Sequence, residues 1–129
     1  MTRPSTVLLR HTANEATIEG HLHDRLLIFR LSGRPHDSGF SELEDRMRGA
    51  LEKHDWDGAV FDLTEAACTC SFLMRFMMRA DRLAAQQDHR FVTVATPGSP
   101  VEERLLLSKM DQLVTIAPDI ASARQLTRA

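Results

Sequence analysis

Cys68 and Cys70 are the chain's two cysteines, one residue apart, and could form a redox pair or half of a metal site. A reactive thiol needs its pKa lowered by a cation or a helix start, and Cys70 falls near the start of a predicted helix. Cysteines this close rarely bridge each other, so the alternative is a pair of small, half-buried loop residues. The six histidines raise the question of a metal. His21 and His23 would share one face of an extended strand. A metal needs three or four ligands, however, and no further Cys or His stands at a recognisable spacing. No metal and no cofactor is expected. Catalysis is not expected either, because the chain has no Ser/His/Asp order, no phosphate-cradling glycine loop and no G-x-G cluster. No catalytic residue is assigned.

A different chemistry stands beyond Ser71. Met74 and Met78 fall one turn apart, off the apolar stripe of the helix that begins there, with Arg75, Arg79 and Arg82 beside them. Exposed methionine flanked by arginine has the composition of a protein interface, since Met packs adaptably and Arg is enriched at contacts. The alternative is that both methionines reach the edge of the core.

These residues must be positioned by alternating strands and helices. Thr6–Leu9 reads as a short strand, Ala16–Glu19 as a weak one, and Arg25–Leu31 as a stronger one that ends in the turn residues Ser32-Gly33-Arg34-Pro35. A helix follows, capped by Asp37 or Ser38, with Phe40, Leu43, Met47, Ala50 and Leu51 on one face. Ala59–Leu63 is a short apolar run bounded by polar residues, the pattern of a buried strand. The small residues from Thr64 to Cys70 show no period. From Ser71, Leu73, Phe76, Met77, Ala80, Leu83 and Ala84 form the second helix's core stripe. Phe91–Ala95 is another buried strand. Ser99-Pro100-Val101-Glu102 then gives a capping box with proline at the first helical position. A last strand over Leu113–Ile116 leads to a helix capped by Asp119. Strands alternating with helices imply a mostly parallel sheet with right-handed crossovers.

The 129 residues suit one domain. With 43% hydrophobic and 26% charged residues, the chain can bury a core without disulfides. A net charge of −2 argues against nucleic-acid binding by bulk electrostatics. No apolar run approaches a membrane span, and no apolar leader follows Met1-Thr2-Arg3-Pro4-Ser5. With the lack of a disulfide framework, this leads us to expect a cytoplasmic protein without membrane insertion.

Four segments together resemble one known family. Arg30-Leu31-Ser32-Gly33-Arg34 looks like the R-L-S-G-x-L opening of STAS domains, and Asp62-Leu63-Thr64 like their D-L-S strand end. Phe91-Val92-Thr93-Val94 matches the strand after the second helix. Val101 through Ile116, especially Arg104-Leu105-Leu106 and Met110-Asp111-Gln112-Leu113, resembles the closing segment. The resemblance implies an α/β STAS-like fold: a mixed, mostly parallel sheet of four to six strands packed with about four helices. It divides the chain into an N-terminal extension with candidate edge strands, residues 1–24, and a STAS-like domain, residues 25–127.

STAS domains are mostly binding modules. They include the anti-sigma-factor antagonists of bacterial partner switching, stressosome subunits, tails of anion transporters and a subunit of phospholipid ABC transporters. In the antagonists, a serine at the start of the second helix is phosphorylated by the partner kinase, and the complex breaks. An ungapped alignment with the family's Asp-Ser-Ser-Gly motif puts Cys70 at the Asp, Ser71 at the phosphoacceptor, Phe72 next and Leu73 at the Gly. The missing glycine would leave a bulky side chain where the helix start is usually open. A nearby Asp62 carboxylate would add to the repulsion of a phosphate on Ser71. The resemblance thus implies a non-enzymatic regulatory module with Ser71 as phosphoacceptor. Its partner-binding surface spans Thr69 to Arg79, comprising Thr69, Cys70, Ser71, Phe72, Met74, Arg75, Met78 and Arg79, with Asp62 at the strand end. The expected partner is an anti-sigma factor with serine-kinase activity, or a subunit of a larger complex; a second copy of the chain is a further candidate. The alternative is a non-phosphorylated STAS subunit of a transporter or stressosome-type complex.

Overall fold

The computed structural model describes residues 6–128; the leader reading and the first five residues of the 1–24 extension lie outside them. Three consecutive strands open the fold: β1 (Thr6–Ala13), β2 (Ala16–His23) and β3 (Leu26–Gly33). They pair antiparallel in sequence order. Two tight turns join them, with Asn14 in the first and Asp24 and Arg25 in the second at positive φ. The strands run further than the sequence pattern suggests because only one face of β2 is covered. Ala16, Ile18 and Gly20 are buried, whereas Thr17, Glu19, His21 and His23 alternate onto the more open face and weaken the apolar signal.

From β3 onward the chain alternates. Helix α1 (Asp37–Lys53), β4 (Gly58–Ala66), α2 (Ser71–Gln86), β5 (Arg90–Val94), α3 (Pro100–Leu107), β6 (Thr115–Ala117) and α4 (Ile120–Arg128) follow. β3, β4, β5 and β6 pair in parallel, so one six-stranded sheet runs β1 to β6 in chain order. This is the mixed, mostly parallel sheet with four helices that the sequence led us to expect.

The sheet's two faces are unequal. Leu27, Phe29, Leu31, Ala59, Phe61, Leu63 and Phe91 join residues of α1, α2 and α3 in the main core. Ile28, Val60, Val92 and Val94 form a smaller cluster with Ala123 of α4 on the other face. Phe76 anchors α2 by meeting Phe61 edge-on, ring centroids 5.5 Å apart. Such a pair is worth about 1 kcal/mol beyond its buried area.

Other element boundaries also differ from the sequence expectation. Ser38 and Gly39 are non-helical, so regular α1 geometry begins at Phe40, and the position before Asp37 makes no side-chain cap. Neither Asp37 nor Ser38 therefore caps α1 as a normal N-cap. The last strand starts at Thr115, not Leu113. A short 3-10 turn over Met110–Gln112 precedes it, and Met110 O accepts the N–H groups of Leu113 and Val114.

Candidate functional site

The region of interest lies where parallel β3 and β4 end, the edge at which sheets of this kind usually bind. Gly33 closes β3 at φ +88, and a Cβ there would stand 2.2 Å from Glu15 O, so glycine is required. The loop after β4 is tied to the loop after β3. Ala67 N–H donates to Gly33 O at 2.7 Å, and the Cys68 thiol to Pro35 O at 3.6 Å.

Asp37 completes this junction. Its Oδ1 accepts from the Phe72 N–H at 2.9 Å. Cys70, the residue before α2, makes no side-chain cap. Asp37 therefore satisfies one of the open amides of α2 and sets a negative charge at the positive end of the helix. By sequence Asp37 is a cap of α1; in the structure it serves α2. Its true partner lies 35 residues away, and no local motif signals such a pairing.

Asp62, expected at the partner-binding surface, is buried instead. It is 1% exposed. Its Oδ2 accepts from Arg30 Nε at 3.2 Å, and its Oδ1 from the Thr64 backbone N–H and hydroxyl at 2.9 and 2.8 Å. Alternation along β4 puts Asp62 with Val60, on the face opposite the one that Phe61 and Leu63 turn to α2. Its acceptors are occupied and it faces away from Ser71. Its buried carboxylate fixes the strand end instead of presenting a free acceptor at the surface.

The remaining positions divide between core and surface. Ser71, Phe72, Arg75 and Arg79 are exposed, and the Arg75 guanidinium lies 4.9 Å from the centre of the Phe72 ring. Met74 and Met78 are half-buried and pack against the main core, so they are not the fully exposed methionines of the interface composition. Helix α1 lies beside α2 and widens its covered arc beyond a single stripe. Thr69 is half-buried, its hydroxyl oxygen enclosed without a partner. Leu73 is 0% exposed. Its bulk sits in the core and leaves the helix start open, contrary to the expectation raised by the missing glycine.

Cys68 and Cys70 are free thiols. Burial first, and then the neighbouring Asp37 carboxylate, push the Cys70 thiol up from 9.0 to about 11. This is opposite to the shift a redox-sensing thiolate at Cys70 needs. His21 and His23 do share a strand face, where His21 Nε2 lies 3.2 Å from Glu19. Among the described residues, no three His, Cys, Asp or Glu gather as a metal site would require, and no helix is long and apolar enough to cross a membrane.

No family model matches the chain, and no curated protein matches it in sequence. Solved structures do match its fold. An anti-sigma factor antagonist from Mycobacterium paratuberculosis aligns at a TM-score of 0.71 and 19% identity, covering 88% of this chain and 95% of the other. A putative anti-sigma factor antagonist from Thermotoga maritima aligns at 0.73 and 17% identity, covering 87% and 95%. The phosphorylated form of the Bacillus cell fate determinant SpoIIAA aligns at 0.56 and 9% identity, covering 94% and 99%. The chain thus has the STAS-like fold of the anti-sigma factor antagonists.

Proposed function

We propose that this chain is a non-enzymatic, cytoplasmic regulatory module that binds a protein partner through the start and exposed stripe of α2, and that phosphorylation of Ser71 switches the binding. The carrying observation is Ser71, exposed as the first residue of α2 in a fold shared with anti-sigma factor antagonists. An anti-sigma factor with serine-kinase activity is the partner that fits. A phosphate on Ser71 would add nearly two negative charges beside the Asp37 carboxylate. At an isolated helix start that charge is welcome. Inside a packed interface it would have to be desolvated, and it would drive an acidic or apolar partner surface away.

Incubation with the cognate kinase and ATP tests the switch. The expected result is a single phosphate, mapped to Ser71, and loss of the complex. No added phosphate, or phosphate on another residue, overturns the switch.

A second reading is a STAS subunit of a transporter or stressosome-type complex that is never phosphorylated. Cys70, standing where the resembled motif has an acid and carrying a protonated thiol at neutral pH, favours it. Under this reading, Ser71→Ala and Ser71→Glu bind the partner equally well.

A further inference from the structure

The groove between α1 and α2 carries a feature that the Ser71 switch does not use. A dimple of about 70 Å³ opens there, with Leu51, Phe76, Ala80 and Leu83 in its wall and Glu44, Arg48 and Arg79 at its mouth. Leu51, Phe76 and Ala80 are buried and both arginines are exposed, so the floor is apolar and the rim polar. Small-molecule sites usually begin at about 300 Å³; a space this small takes a single side chain.

The excess positive charge lies on the α2 side; on the α1 side Arg48 is paired with Asp45 at 2.5 Å. Arg75, Arg79 and Arg82 are exposed along α2, against the half-buried Asp81 as the only acid of that helix. Phe72, Arg75, Arg79 and Arg82 follow at three- and four-residue steps, which puts them on one stripe. The chain as a whole is acidic, with a net charge of −2. Arg79 is steadied at the rim by Glu44 of α1, 3.6 Å away.

We propose that this groove docks an acidic segment of a partner protein, which seats one aliphatic or aromatic side chain in the dimple and sets its carboxylates against the arginines. The proposal rests on the protein-binding reading above and names the chemistry of the partner. Buried anchors of this kind, ringed by weaker contacts, carry most of the energy at protein interfaces. The arginine stripe runs unbroken to Phe72, so one partner could span both the groove and the Ser71 end.

Titrating the isotope-labelled full chain with a synthetic amphipathic peptide of glutamates and leucines, followed by NMR, tests it. The expected result is saturable shifts at Leu51, Ala80 and Leu83, weakened about tenfold or more when the peptide leucines become serine. The lysine-for-glutamate peptide should leave those residues unmoved. Arg48→Glu, which keeps the Arg79–Glu44 pair, and Arg79→Glu should each weaken binding about tenfold while the spectrum stays folded. Equal binding of the lysine peptide, or saturable binding of single-stranded DNA at the same residues, overturns the proposal. Shifts confined to residues 69–75 overturn the groove and leave the protein-binding reading standing. Groove binding by a chain whose Ser71 takes no phosphate does the reverse.

Discussion

Helix α3 carries its own start, whereas α2 borrows one. At α3, the Ser99 hydroxyl accepts from the Glu102 N–H at 3.2 Å, the Glu102 carboxylate accepts from the Gly98 N–H at 2.9 Å, and Pro100 opens the helix. All of these contacts fall within five residues. At α2, Cys70 caps nothing, and the Phe72 N–H is met by Asp37 from the loop after β3. A locally capped start survives changes elsewhere in the molecule. A start capped by a neighbouring loop responds to whatever moves that loop, which suits a binding surface.

The largest test concerns what holds α2 in place. If its core face does so and its start does not, emptying that face should cost far more than removing a cap. Leu73 is fully buried in the main core. Leu73→Gly, which restores the residue of the resembled motif, should destabilise the protein by about 4 kcal/mol in urea unfolding, combining the loss of a buried leucine with the poor helix propensity of glycine. A cost under about 1 kcal/mol would mean that α2 hangs on its start after all.

Next comes the borrowed cap itself. Asp37→Ala should cost about 1 kcal/mol, much like Ser99→Ala, but with a different reach. Ser99→Ala should speed amide exchange only within α3. Asp37→Ala should speed it at Phe72 and also alter Cys70, whose raised pKa owes part of its shift to Asp37. The thiol should become more acidic and react faster with iodoacetamide at mildly alkaline pH. The sign follows from linkage. The folded thiol binds its proton more tightly than the unfolded one, so stability falls as pH climbs from 9.0 toward about 11. Removing Asp37 should shrink that fall. Unchanged alkylation in Asp37→Ala would break the link between the two loops.

The same contrast explains what the sequence made legible. The α3 start was readable because every partner lies within one turn, and the strand–helix alternation because burial imposes a period on β4, β5 and the helices. Asp37 stands before the apolar period of α1 and so looks like a local cap. Only the packing of the β3 and β4 loops turns it to α2. Asp62 looked like a surface residue at a strand end, but strand alternation carries it to the opposite face, where Arg30 and Thr64 hold it. The β1–β2 hairpin gives a weak signal because the open face of β2 is polar. Ser71 is a candidate only through register against the resembled motif, whereas the dimple between α1 and α2 depends on how two helices meet, which neither helix's sequence states alone.

The smallest effect is the most informative about the proposed switch. A negative charge in the first turn of a helix ordinarily stabilises by about 0.3–1 kcal/mol. Ser71→Glu adds such a charge, but Asp37 already holds an open amide there. The two carboxylates should repel, and the gain from Ser71→Glu should be close to zero. With Asp37→Ala in place the repulsion disappears and the full gain should return. A double-mutant cycle in urea should therefore give a coupling of about 0.5 kcal/mol between positions 37 and 71. A coupling indistinguishable from zero would show that a charge at Ser71 reaches solvent without meeting Asp37. Phosphorylation would then act on the partner alone, with no rearrangement of the β3 loop. A measurable coupling would mean that a phosphate on Ser71 also pushes Asp37 off the Phe72 amide, loosening the loop that α2 relies on and altering the docking surface from within.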